Sequence, residues 1–247
     1  MSIEKIIEEL ESITTQNYKN KCLMGIFSAV YCRTTNAIHH AIVEKRFEDP
    51  KRMEILDVHF AMRYIDAYKE YERGNHITAS WEKAFEATKH NEYLLLQHLL
   101  VGMNAHIMLD LAVSSAQISP KESIHTLRND FMTVNDVLFE LIDDFQEIIN
   151  MNAPMLKVLD GIGLKLDEFL IAKGIENARR KAWEFAVQLA FLEGQEFESE
   201  VQRIDLEVAS ISTKILESPT ILKPLKWMIS KTQKNQIFAI PRLLQGR

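Results

Sequence analysis

His106 and Asp110 stand four residues apart in the apolar run LLLQHLLVGMNAHIMLDLAVSSA, residues 94–116. On a helix this spacing puts both side chains on one face, with Cβ atoms about 6 Å apart. An imidazole nitrogen and a carboxylate so arranged can share one cation, as helical histidine pairs do in zinc enzymes. They can equally bond each other, or the carboxylate can pair internally with Arg63 or Arg33. The same run carries His98 and Asn104. An unpaired polar group in apolar surroundings costs several kcal/mol, so each of these four needs a partner or a ligand. His98 lies two turns before His106, about 12 Å along the axis, too far to hold the same ion. With Asn104 it is assigned to positioning a substrate or moving a proton. Gly102 weakens the helix by about 1 kcal/mol relative to Ala, which suits a place where another helix or a ligand comes close.

Two further segments offer groups that would complete a site. MEILDVHFAMRYIDAY supplies Asp57, His59, Arg63 and Tyr64, with His59 and Arg63 four apart and Asp57 about 200° round the helix from His59. RNDFMTVNDVL supplies Asp130 and Asn135. If the three helices meet around one interior, His59, His106, Asp110 and Asp130 form a nitrogen-and-oxygen set suited to Zn, Mn or Fe. Such a cation lowers the pKa of bound water and yields hydroxide. Arg63, with its fixed fork, would meet a phosphate or carboxylate. The leading expectation is therefore a metal-dependent hydrolase acting on a small or lipid-like substrate, a phosphoester included. The competing expectation is a non-catalytic helical binding or scaffold protein whose His, Asp and Arg groups satisfy one another. A metal-free enzyme using His106 and Asp110 as a general base ranks third. Glu122 and His125 have the E-x-x-H spacing of di-iron bundles, but no second copy accompanies them. No nucleotide-cofactor motif is present: G-x-G-x-x-G and G-x-x-x-x-G-K-[ST] are both missing, as are G-x-S-x-G and C-x-x-C.

The run HLLVGMNAHIMLDLA, with FEDPKRMEILDVHFAMRYIDAY and WEKAF upstream, resembles an uncharacterised helical family, domain of unknown function 5995, whose members share an H-L-L-x-G-x-N-A-H-I-x-x-D-L core. The likeness spans about Phe47 to Asn135, with a weaker echo at Arg180 and Trp183. It singles out Arg63, His98, Asn104, His106, Asp110 and Asp130 and implies no activity. A weaker likeness is to the all-helical zinc-dependent phospholipase C and single-strand nuclease group, which also presents an H-x-x-x-D pair on a buried helix. There a further His follows the pair closely; here LAVSSAQ follows and has none.

The elements that must position these residues are all helical. Only eight Gly and six Pro occur in 247 residues, and they fall between long segments with apolar residues at helical spacing. Helices are predicted near 2–13, 19–45, 50–73, 78–89, 91–117, 121–151, 155–172, 175–193, 195–217 and 220–233, giving an all-α multi-helix bundle with the polar site on its central helices. Asp49-Pro50 reads as a cap with Pro in the first turn, and Ser119-Pro120-Lys121-Glu122 has the capping-box spacing. Gly74-Asn75 and Gly174 read as helix ends. Residues 1–152 are expected to form the body that holds the site, 153–213 to add helices to the same core, and 214–247 to form a basic arm.

Nearly half the residues are apolar (47%) and 26% are charged, so a substantial core is available and disorder is excluded. The net charge of −6 argues against nucleic acid as a partner. That charge is unevenly spread. The chain carries −12 up to Thr213 and +6 from Lys214 onward, where Trp227, Met228, Ile229 and Phe238 lie among the lysines. The arm is expected to dock on the acidic body, or to touch an anionic membrane surface or a partner. The start, MSIEKIIEELESI, lacks a basic stretch leading into an apolar one, and no window of about 18 apolar residues is free of charge. Cys22 and Cys32, ten apart, read as reduced packing residues. The expected compartment is the cytoplasm.

Overall fold

The apolar run that carries His106 becomes the central rod of the fold. The computed structural model describes residues 1–90, 93, 95–141 and 168–217. Along it run α1 (Ile3–Lys19), α2 (Met24–Val43), α3 (Pro50–Glu72), α4 (Ala79–Ala87), α5 (Leu95–Asn104), a π-helical turn (Ala105–Asp110), α6 (Leu111–Ile118), a 3-10 segment (Lys121–Leu127), α7 (Arg128–Glu140), α8 (Glu168–Ala190) and α9 (Gly194–Leu216). No strand occurs among the described residues. The all-α reading is correct.

The rod α5–π–α6 is packed by α2, α3, α4, α8 and α9, with α4 also resting on α9, while α1 lies against α2 and α3. Within Gln97–Ile118 the composition is apolar enough for a membrane span, but 78% of that stretch is buried by the other helices, as a core helix would be. Around the rod the apolar side chains separate into two clusters. One gathers α1, the first half of α2, the second half of α3, α4 and α5, with Tyr64, Trp81 and Phe85 at its centre. The other joins the end of α2, the start of α3, α6, α7, α8 and α9 around Leu109, Phe131 and Leu189. Phe60 packs against both. Thr35, Asp57 and His106, all buried, fall in the chain between residues of one cluster and residues of the other. A polar seam therefore runs between two greasy halves.

The helix ends test the sequence signals. Asp49 caps α3 by accepting from the Arg52 amide at 3.0 Å, with Pro50 in the first turn. Gly74 closes the same helix at φ +74°, where an L side chain would be strained, and its amide reaches the Tyr71 carbonyl at 2.9 Å. Other signals mislead. The first break comes at 20–23 instead of 14–18, because Thr14 and Asn17 satisfy their side chains on the Leu10 and Ile13 carbonyls, on Ser28 and on Tyr68. Cys22 accordingly precedes α2 instead of sharing a helix with Cys32; both are free thiols, and burial raises both, Cys32 to about 12. The capping box at Ser119 does not form: the chain enters a 3-10 segment through Lys121 at φ +56°, and α7 starts only at Arg128. Gly174 lies inside α8. The predicted helix 220–233, most of the predicted helix 155–172 and of the joint 153–174, and nearly all of the basic arm lie outside the described residues.

Candidate functional site

His106 and Asp110 meet within the π turn, where the wider i→i+5 winding interrupts an otherwise regular rod, a feature frequent at functional sites. His106 Nδ1 lies 3.1 Å from Asp110 Oδ2, and the residues are 3% and 1% exposed. Two donors from other helices complete the carboxylate's set. Trp81 Nε1 of α4 donates to Oδ2 at 2.8 Å, and Arg63 Nε of α3 donates to Oδ1 at 3.0 Å. Asp110 is thus surrounded by N–H groups, which fixes it as an acceptor.

The imidazole is held as firmly. Phe60 stacks on it at 3.7 Å with the planes 9° apart, and Tyr31 meets it edge-on at 4.2 Å. Phe27, Tyr64 and Trp81 complete an aromatic wall at 5.6 to 6.2 Å. Burial pushes the imidazole below its usual range, against the opposing pull of the Asp110 hydrogen bond, so the ring is neutral. A neutral ring that faces a carboxylate with Nδ1 carries its proton there. Nε2 is then a bare lone pair, and it is buried without a hydrogen-bond partner among the described residues.

The wall itself is built by register. α2 and α3 are consecutive and antiparallel across the connection 44–49, and Phe27 faces Tyr64 at 4.9 Å while Tyr31 faces Phe60 at 5.8 Å. One turn further toward the connection, the same register brings Thr35 opposite Leu56 and Asp57. The Tyr31 hydroxyl, Thr35 Oγ1 and Asp57 Oδ2 are all buried and make no hydrogen bond of regular geometry among the described residues, although the Tyr31 hydroxyl and Thr35 lie close enough to interact with each other. Burial pushes the Tyr31 hydroxyl well up, and the Asp57 and Asp110 charges add to this, while a hydrogen-bonding contact with Thr35 opposes it. Burial alone pushes the Asp57 carboxyl up to about 7.

Of the seven residues predicted from sequence, three come together: Arg63, His106 and Asp110. The expected convergence of His59 and Asp130 on this pair does not occur. His59 is on the exposed face of α3. Asp130 is fully buried but accepts from the Glu48 and Asp49 amides, at 2.6 and 3.1 Å, and from Arg52 Nη2 at 2.9 Å, so it pins the start of α3 to α7. Asn104 reaches across to α9, donating at 2.9 Å both to the Val208 carbonyl and to Ser212 Oγ. His98 is buried two turns away, edge-on to Tyr93 at 6.1 Å. For the expected Zn, Mn or Fe centre the donor set is incomplete: no three His, Cys, Asp or Glu side chains converge among the described residues, and both Asp110 oxygens already accept from N–H groups.

Sequence reasoning passes over Trp81, Tyr31, Thr35 and Phe60, and sets Asp57 aside as pointing away from His59. The signal lies in the i, i+3 step from Asp57 to Phe60 and the i, i+4 step from Tyr31 to Thr35, but pairing them requires the register of α2 against α3. A groove of about 690 Å³ lies elsewhere, where α3 ends against α4. Its Glu86 is already held by Tyr71 and Lys89, each at 2.7 Å, and no predicted site residue lines it.

A family model described as "Family of unknown function (DUF5995)" matches residues 3–218. No curated protein and no solved structure matches the chain.

Proposed function

The chain belongs to the DUF5995 family, and we propose that it is a hydrolytic enzyme in which His106 acts as general base on water. One observation carries this reading: a buried neutral imidazole is bonded through Nδ1 to a buried carboxylate while its other nitrogen has no partner among the described residues. A residue kept only for packing has no use for an unpaired nitrogen, whose burial costs stability. In the proposed reaction Asp110 holds the tautomer and steadies the imidazolium that forms when Nε2 takes a proton, the role a buried carboxylate plays beside a catalytic histidine. Trp81 and Arg63 keep Asp110 oriented. Arg63 spends only Nε on Asp110 and is 27% exposed, so its terminal NH2 groups remain for an anionic portion of the substrate. Water activation, expected from sequence to fall to a metal ion, falls in this reading to the imidazole.

The test is hydrolysis of 4-nitrophenyl acetate by the full chain and by His106→Gln and Asp110→Asn. Each substitution is expected to lower turnover about 10²- to 10⁴-fold with an unchanged circular-dichroism spectrum. Turnover that survives both substitutions would overturn the assignment.

A second reading has its own support. Asp110 joins α3, α4 and the π turn through three donors, an arrangement that suits a structural register pin. It predicts that His106→Gln lowers the melting temperature and leaves no catalytic trace.

A further inference from the structure

The rung beside His106 holds three buried polar groups that make no hydrogen bond of regular geometry with a described residue: the Tyr31 hydroxyl and Thr35 Oγ1 from α2, which lie close enough to interact with each other, and Asp57 Oδ2 from α3. Asp57 is 7% exposed, Tyr31 is 5% exposed and Thr35 is fully buried, between the two apolar clusters. Polar groups buried without a regular hydrogen bond are costly: each loses more than an ordinary hydrogen bond is worth net. We infer that Tyr31, Thr35 and Asp57 form an oxygen-binding subsite that donates hydrogen bonds to the carbonyl oxygen of a carboxylic ester while His106 activates the attacking water. This rests on the reading of His106 as a base and supplies its substrate class.

The chemistry follows from what each group can offer. Hydroxyls donate. A carboxyl in apolar surroundings, with no cation bonded to it, is held neutral and donates as well, and burial raises Asp57 far enough for the neutral form to be present near neutrality. Arg63, about 120° round α3 from Asp57, is engaged by Asp110 through Nε. With Asp57 protonated, the rung presents donors. His106 Nε2 on the neighbouring rung presents the opposite, a lone pair and no proton. Donors beside a base complement a group that gains negative charge on oxygen as a proton is lost nearby, the requirement of acyl transfer.

The step balances. Water oxygen forms a bond to the acyl carbon, the C=O π pair moves onto the carbonyl oxygen, and one water proton passes to His106 Nε2. Collapse restores C=O, breaks the bond to the leaving alcohol oxygen, and returns the proton from His106 to that oxygen. Tyr31, Thr35 and Asp57 bind the oxygen most tightly at the stage when it is charged.

The probe for this subsite is 4-nitrophenolate, a flat apolar body bearing one anionic oxygen, titrated into the full chain by isothermal calorimetry. One saturable site per chain is expected. Tyr31→Phe and Asp57→Leu should each weaken it about tenfold or more, as loss of a hydrogen bond to a charged oxygen does. Asp57→Asn should retain binding, because an amide still donates. His106→Gln should retain binding while losing ester hydrolysis. Absence of saturable binding overturns the subsite and is the result expected if a buried water alone joins the three groups. Equal affinity across wild type, Tyr31→Phe and Asp57→Leu overturns it too; if Asp57→Leu fails to fold, Tyr31→Phe, which removes a single oxygen, decides. Hydrolysis that persists in His106→Gln sinks the base assignment and leaves the binding result standing on its own, so the two failures can be told apart.

Discussion

Among the described residues four carboxylates are buried, and they divide into two pairs. Asp130 and Asp205 accept from backbone amides: Asp130 from Glu48 and Asp49 at the entry to α3, Asp205 of α9 from Ala79 and Ser80 at 2.7 and 2.9 Å, where it caps α4 in place of the unused Thr78 side chain. Asp110 and Asp57 accept from no backbone amide among these residues. Asp110 takes side-chain donors and orients an imidazole; Asp57 has an oxygen that no described group reaches with a hydrogen bond. All four are at most 8% exposed, so burial does not separate them. The partner does. A carboxylate on free amides at a helix start completes the chain's own hydrogen bonding and needs nothing from outside. One facing a histidine, or facing nothing, leaves capacity for another molecule.

The sharpest way to break this division is to truncate a member of the first pair. Asp130→Ala removes the fully buried acceptor of the Glu48 and Asp49 amides and of Arg52, and is expected to cost about 3–5 kcal/mol in urea unfolding, as removing the buried partner of an ion pair does. Ester turnover per folded molecule should stay at the wild-type level. A loss of turnover larger than the loss of folded protein would move Asp130 into the second pair.

Asp57→Asn should do the reverse. With its carboxyl raised to about 7 in the fold and near 4 in the unfolded chain, the folded state holds the extra proton between those values, so stability is full below about pH 4 and falls as pH rises to about 7. Removing the charge is expected to flatten that decline and to stabilise the protein at pH 8 by on the order of 2–3 kcal/mol. His106 works in the opposite sense. Its lowered pKa contributes stability that is present above about pH 6.5 and lost as pH falls through the folded value, and His106→Gln should abolish that acid-side loss. Unfolding of the two variants at pH 5 and 8 separates the effects, and an unaltered pH profile in Asp57→Asn would mean that the carboxyl is paired.

The same division separates what is legible in the sequence from what is not. The helical architecture is legible because periodicity, Asp49-Pro50 and Gly74 are local signals, and the His106–Asp110 pair is legible because a helix fixes what lies four residues on. The role of Asp130 is not, since its partners are amides some 80 residues earlier in the chain. Nor is the wall around His106, because Tyr31 and Phe60 meet only once α2 and α3 have chosen a register, and no single helix records that choice. Asn104 misleads for a related reason: its polarity in an apolar run announces a partner, and that partner is the backbone of α9.

Gly102 tests how tightly the second pair depends on its wall. A Cβ there would lie 2.8 Å from Phe27 Cδ2 and 3.0 Å from Cγ, and Phe27 packs at 5.6 Å on His106. The glycine thus admits a side chain from α2, where its place in the sequence suggests a helix or a ligand. Gly102→Ala gains about 1 kcal/mol of helix propensity and loses about 1–3 kcal/mol by overpacking, for a net destabilisation of about 1 kcal/mol. Because the displaced ring abuts the imidazole, turnover should drop more than stability. An equal drop in both would detach the wall from the chemistry.

The smallest effect is also the most discriminating. Tyr31→Phe deletes one buried oxygen and leaves the ring that meets His106 edge-on. A hydroxyl with a structural partner loses about 1 kcal/mol or more when removed, because the partner is left unpaired. The Tyr31 hydroxyl has only a loose contact with Thr35, and its removal is expected to leave stability unchanged or to raise it by up to about 1 kcal/mol. Turnover should fall, since the donor is used only when substrate oxygen becomes charged. Stability preserved and turnover lost is the signature of a group the fold keeps for something other than itself. Stability lost and turnover preserved would place Tyr31 with Asp130 and Asp205, among residues whose only partner is the protein.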